Sequence, residues 1–137
     1  MEHHTAQAPA GATYGAVTHL LRLEGALAAA CAVLAYRHLG GSWTLFAWLF
    51  LLPDLSMLGY LAGRRWGAVC YNGGHTYTSP AVLALASGAL AWPALLPLAA
   101  IWAAHIGFDR LMGYGLKYPA AFGATHLGWR GRRTVAG

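Results

Sequence analysis

The stretch "LLPLAAIWAAHIGFDRLMGYGL", residues 95–116, decides how this chain is read. From residue 76 to residue 104 there is no charged residue, and then His105, Asp109 and Arg110 follow within two helical turns. A run this apolar is what crosses a bilayer, which takes about 20 residues. Yet an acid at the centre of a membrane helix costs about 2.5–3.5 kcal/mol. Asp109 therefore needs a partner, a proton or a metal.

The composition repeats the problem. The chain has 137 residues, 58% of them hydrophobic and 9% charged, with a mean hydropathy of +0.46. Soluble domains carry about 25% charged residues, so this balance indicates an integral membrane protein. Only four acids occur: Glu2, Glu24, Asp54 and Asp109. The last three fall inside apolar segments. Left unpaired they would cost roughly 8–10 kcal/mol by simple addition, about the whole stability of a small protein.

Cys31 and Cys70 lie far apart and outside any CxxC, so neither a disulfide nor a thiolate metal site has support. The N-terminal "MEHHTAQAPAGATYG" lacks the basic start and apolar core of a secretory signal. The net charge of +5 comes mostly from arginines at segment ends. That suits membrane lipids as partners, and no base-reading motif points to nucleic acid.

The apolar runs predict an all-α, integral membrane four-helix bundle, with spans near 17–38, 42–62, 66–91 and 95–116. A polar tail, 1–16, precedes it and a basic tail, 117–137, follows. "YNGGHTYTSP" (71–80) is read as part of one continuous third helix from Trp66. Basic residues set the orientation. Arg64 and Arg65 lie between spans two and three, and Lys117, Arg130, Arg132 and Arg133 follow span four. Both termini are then expected in the cytoplasm.

Depth brings the polar residues together. At about 1.5 Å per residue, Glu24, Asp54, His75, His105 and Asp109 lie about 10–16 Å from the cytoplasmic ends of four different spans. His105 and Asp109 are i,i+4 and share one face. Asn72, His75 and Ser79 form a polar stripe. Pro53 cannot donate a backbone bond, so it kinks span two beside Asp54. Carboxylates and imidazoles facing inward from a bundle form a ligand set for zinc, manganese or iron. The expected metal residues are Asp54, His75, His105, Asp109 and Glu24, with His126 folding back as a further ligand.

Blander readings exist for the same residues. His105–Asp109 could be an intrahelical hydrogen bond alone, and Arg110 could pair with Asp54 or Glu24. Arg22 is expected to reach lipid phosphate. His3 and His4 have no evident role.

"LLRLEG" (20–25), "FLLPDLSMLGYLAG" (50–63), "YNGGHTYTSP", "HIGFDRLMGYGLKY" (105–118) and "THLG" (125–128) together resemble the signatures of a family of small bacterial membrane proteins of unknown function. That resemblance implies a four-helix inner-membrane protein and no activity. The order of PD, a His beside Thr and Ser, then HxxxD is more distantly similar to inner-membrane metal-dependent hydrolases. Those carry PDxD, where this chain has Asp54 and Ser56, and two middle histidines, where it has His75 alone. The analogy covers Asp54, His75, His105 and Asp109.

The expected function is thus a membrane-embedded, metal-dependent hydrolase of the bacterial inner membrane. It would act on a lipid or other amphiphile from the cytoplasmic leaflet. Asp54 and the other ligands would hold the divalent ion, Glu24 would be a ligand or general base, and Arg110 or Arg64 would hold an anionic substrate group. The alternatives are a binding or transport module with an intramembrane proton or cation site, for which a homo-oligomer is expected, and a di-iron oxidase.

Overall fold

The computed structural model describes residues 9–130. Glu2, His3, His4, Arg132 and Arg133 lie outside them. Five α-helices and one long 3-10 segment make up most of the chain: α1 (Gly15–His38), α2 (Trp43–Phe50), the 3-10 segment (Leu52–Ala62), α3 (Arg64–His75), α4 (Thr78–Ala89) and α5 (Leu95–Met112). Two short strands, β1 (Ala124–Thr125) and β2 (Gly128–Trp129), pair antiparallel near the end. Among the described residues, three stretches are long and apolar enough to cross a membrane: Gly15–His38, Trp43–Ala62 and Leu95–Met112. They leave large apolar side chains such as Leu27, Trp48 and Leu61 uncovered, as lipid contact requires.

Alpha-1 packs along α5, α3 against the 3-10 segment, and α4 against α5. The α1–α5 crossing is built on two glycines. A Cβ on Gly107 would lie 2.6 Å from the Ala29 nitrogen, and one on Gly25 would lie 2.9 Å from the Gly107 carbonyl oxygen. Small residues at such a crossing let backbones touch. Gly107→Ala should therefore cost about 1–3 kcal/mol through overpacking, read as a lower midpoint of unfolding in a detergent titration.

The second expected span is a single stretch of two parts. Pro53 brings no N–H, and Asp54 N donates to the Leu51 carbonyl at 3.1 Å instead of continuing the α pattern. The chain tightens into a 3-10 helix of 11 residues, where runs beyond 3–4 residues are uncommon.

The third expected span, 66–91, differs more. It is two helices, broken at Thr76, whose backbone is extended (φ −94°, ψ 139°). The cause is Pro80, which fits the first turn of α4 but would clash and lose a bond inside a continuous helix. The break frees three carbonyls, and three side chains take them. Ser79 Oγ donates to Gly73 O at 2.5 Å, Trp102 Nε1 to Gly74 O at 2.7 Å, and an Arg110 Nη to His75 O at 2.7 Å. Irregular backbone at membrane depth needs such internal partners.

The segment after α5 is not a free tail through residue 130. Gly113, at φ 86°, ends α5 in the left-handed region. Arg22 Nε donates to the Leu111 carbonyl at 2.8 Å. It thus caps this helix end and is not left to reach for lipid phosphate. Asn72 then clamps the backbone of Lys117: its Nδ2 donates to Lys117 O at 2.9 Å and its Oδ1 accepts from Lys117 N at 2.7 Å. The Lys117 ammonium is buried over the rings of Phe122, Tyr71 and Tyr60.

Burial pulls the Lys117 amine down from 10.5 to about 8. Between those two values the unfolded chain holds the proton and the folded chain does not. Stability should then rise with pH across that window, and Lys117→Met should remove the slope. Unfolding midpoints measured at several pH values check this.

Candidate metal centre

Four of the six expected ligands meet. One donor atom from each of Asp54, His75, His105 and Asp109 lies within 4.8 Å of all the others. His75 Nε2 is 3.1 Å from Asp54 Oδ1 and 3.3 Å from Asp109 Oδ2. His105 Nε2 is 3.3 Å from Asp54 Oδ1 and 3.2 Å from Asp109 Oδ2. The two Nε2 atoms are 3.1 Å apart. Ligands bonded at about 2.0–2.2 Å to a tetrahedral ion stand roughly 3.3–3.6 Å apart, and these five separations come close to that. The geometry fits one divalent ion.

Proton bookkeeping supports the fit. His75 Nδ1 sits 2.9 Å from the backbone carbonyl of Tyr71. A carbonyl only accepts, so Nδ1 carries the hydrogen, and a neutral ring then presents a bare lone pair at Nε2. That lone pair faces two carboxylate oxygens and a second imidazole nitrogen. His105 Nδ1 is buried and has no hydrogen-bond partner among the described residues. Both rings turn Nε2 inward, and the Tyr71 carbonyl orients that of His75. Such an orientation by carbonyls is usual for metal-bound histidine.

Each ligand has an identifiable support. His75 is fully buried and stacks on Tyr71 at 3.9 Å between ring centres. His105 is held edge-on by Phe50 at 5.3 Å. Ser56 stands where the PDxD pattern would place a second acid. Its Oγ donates to Pro53 O at 2.6 Å and lies 3.5 Å from His75 Nδ1. Gly74 lets α3 approach this turn, since a Cβ there would sit 2.7 Å from Ser56 Oγ. Asp54 is the most accessible ligand, with its side chain 37% exposed against 16% for Asp109. Beside the cluster lies an apolar cavity of 280 Å³, lined by Pro53, Ser56, Gly74, Leu98, Ile101 and Trp102 among others.

A match of residues 18–129 to the family described as "Domain of unknown function (DUF4260)" covers this whole assembly. The chain belongs to the DUF4260 family. No curated protein and no solved structure matches it.

Glu24 and His126 of this DUF4260 chain do not join the four ligands. The reason is rotation about α5, not depth. Residues advance about 100° each around a helix, so Gly107, where α1 crosses, lies about 200° from both His105 and Asp109. Alpha-1 therefore covers the face of α5 opposite the ligands, and Glu24 lies there, exposed and without a hydrogen bond or ion pair among the described residues. His126 is held by the Leu116 N–H, which donates to its Nδ1 at 2.8 Å. Burial, and then the charge of Arg110, hold this histidine below its ordinary range.

Arg110 pairs with neither Asp54 nor Glu24. Its Nη atoms donate to the carbonyls of Tyr114 and His75, at 3.1 and 2.7 Å. Arg64 spends one Nη on the Ala120 carbonyl at 3.0 Å. Glu24, Arg110 and His126 instead line one cavity of 450 Å³ with Thr76, Tyr77 and Thr78.

Proposed function

We propose that this chain is a metal-dependent hydrolase of the bacterial cytoplasmic membrane, acting on a lipid or another amphiphile from the cytoplasmic leaflet. One observation carries the reading: two imidazole nitrogens and two carboxylate oxygens converge on a point where their only common need is a cation. His75, His105 and Asp109 would hold the ion, since packing fixes all three. Asp54 would be the adjustable ligand, because it is the most exposed and stands on the 3-10 segment. A divalent ion held there lowers the pKa of a bound water and polarises the bond to be cleaved. A closed four-ligand site leaves no such position, so Asp54 would swing aside and take the proton from the water. The 280 Å³ apolar cavity beside Pro53 and Gly74 would take hydrocarbon of the substrate. Arg110 has N–H groups beyond the two spent on carbonyls, and these would bind an anionic group.

We also propose four crossings with both termini in the cytoplasm, α3 and α4 forming one broken crossing. Thr13 N donates to His126 O at 2.8 Å, and Arg64 to Ala120 O at 3.0 Å. The chain start, the second connection and the C-terminal segment thus meet at one end, and their arginines suit the cytoplasmic side.

The test is turnover. Protein in nanodiscs should release product from a panel of glycerophospholipids, lose that activity to a chelator and regain it with added zinc or manganese. Unchanged hydrolysis by metal-free protein would end this reading.

A second reading is favoured by the broken helices. Discontinuous helices beside a mid-membrane ion site are how transporters bind cations, and here breaks lie next to Asp54 and His75. Metal uptake into liposomes that depends on Asp109, without lipid turnover, would select it. A two-iron centre of the bundle type draws on about six ligand side chains. A group of four favours a single ion.

A further inference from the structure

The cavity that holds Glu24 and Arg110 is not used by the metal centre, and it poses its own problem. Glu24 lies on a stretch fit to cross a membrane. Its carboxylate has no hydrogen bond or ion pair among the described residues. Arg110 lines the same cavity, yet its guanidinium is tied to the His75 and Tyr114 carbonyls and makes no salt bridge with Glu24. Two opposite charges thus line one cavity without pairing. A ligand bearing both signs would satisfy both. The anionic end would find Arg110, the Thr78 hydroxyl and His126, whose Nδ1 already accepts from Leu116, so that Nε2 carries the donating hydrogen.

The cavity also has an apolar continuation. A groove of 680 Å³ runs between α1, α4 and α5 and shares Ala28 and Tyr77 with it. The groove exists because its walls are small side chains, among them Ala32, Ala35, Ala84 and Ala103. A polar enclosure that opens into a hydrocarbon-lined groove matches an amphiphile.

We infer that this combined cavity binds one glycerophospholipid with an amine-bearing, zwitterionic headgroup: phosphate at Arg110, amine at Glu24, and an acyl chain along the alanine groove. The inference concerns lipid binding on the face of α5 away from the metal ligands, and it goes beyond the reading above without resting on it. Binding itself needs no metal.

The experiment is therefore run with a chelator throughout. Dioctanoyl phosphatidylethanolamine, dioctanoyl phosphatidylglycerol and phosphorylethanolamine are titrated calorimetrically into the full chain in neutral detergent. The ethanolamine lipid should bind about tenfold more tightly than the glycerol lipid, the equivalent of one charge contact. Glu24→Gln should erase that preference while leaving the unfolding midpoint unchanged, because Glu24 holds no hydrogen-bond or ion-pair partner among the described residues. Ala84→Phe, which fills the groove, should weaken both lipids by about the same factor. Equal affinity of the two lipids for the unaltered chain, or a preference that survives Glu24→Gln, would overturn the headgroup assignment. Phosphorylethanolamine binding as tightly as the lipid would overturn the groove. Failure of metal-dependent turnover would leave all of these results standing.

Discussion

Arg110→Met should cost roughly 2–6 kcal/mol of stability, at about 1–3 kcal/mol for each buried carbonyl left without a donor. Two carbonyls depend on this guanidinium. That of His75 ends α3 at the break, and that of Tyr114 follows the glycine that ends α5. Among the described residues neither carbonyl has another donor: Thr76 is already extended, and Arg110 itself is buried. Losing the guanidinium should also loosen His75, since its own carbonyl is one of the two. Arg22→Met is the control. It removes one bond, to Leu111 O at 2.8 Å, on the exposed side of α5, and should cost about 1 kcal/mol. Detergent-titration midpoints of the two variants measure the difference. Equal midpoints would show that the helix break does not depend on Arg110.

Divalent metal should stabilise the chelated protein by several kcal/mol. An ion that binds only the folded chain contributes about 4.1 kcal/mol at a thousand times its dissociation constant. The effect should be large here because the cluster joins elements distant in sequence. Asp54 lies on the 3-10 segment, His75 at the end of α3, and His105 and Asp109 on α5. One ion would tie all three together. Asp109→Asn should remove most of the gain. Glu24→Gln should leave it intact, because Glu24 lies across α5 from the ligands. If zinc, manganese and iron all left the midpoint unmoved, the four residues would form an ion-paired network holding protons, not a metal.

The contrast between Glu24 and Asp54 shows what could be read from residues alone. Counting from the ends of apolar runs placed Glu24, Asp54, His75, His105 and Asp109 in one layer, and the i,i+4 spacing put His105 and Asp109 on one face. Those are one-dimensional facts, and the four-residue cluster follows from them. Which face of α5 meets α1 is not such a fact. It is set by Gly25 and Gly107 fitting together, and it sends Glu24 to the side of Arg110. His126 was legible only as a residue that could fold back. Its destination depends on Asn72 clamping Lys117, a contact across 45 residues.

The break in the third expected span has a visible signal in the sequence. Pro80 stands five residues after His75, and a proline belongs in a helix's first turn. Pro53 likewise changes the helix beside Asp54, from α to 3-10. Two prolines, each within five residues of a ligand, mark where regular helix gives way to a site. The carbonyl partners Ser79, Trp102 and Arg110 could not be assigned in advance, because each comes from a different turn of the fold.

The most direct test of the centre is metal stoichiometry. Elemental mass spectrometry on the full chain, purified in detergent and reconstituted with zinc, manganese or iron, should find about one ion per chain, as a single four-ligand tetrahedral site holds. The His105→Ala/Asp109→Ala double variant should hold none, while Glu24→Gln should hold as much as the unaltered chain. No metal in the unaltered chain after reconstitution, or an equal amount in the double variant, would contradict the assignment of Asp54, His75, His105 and Asp109 as a metal centre.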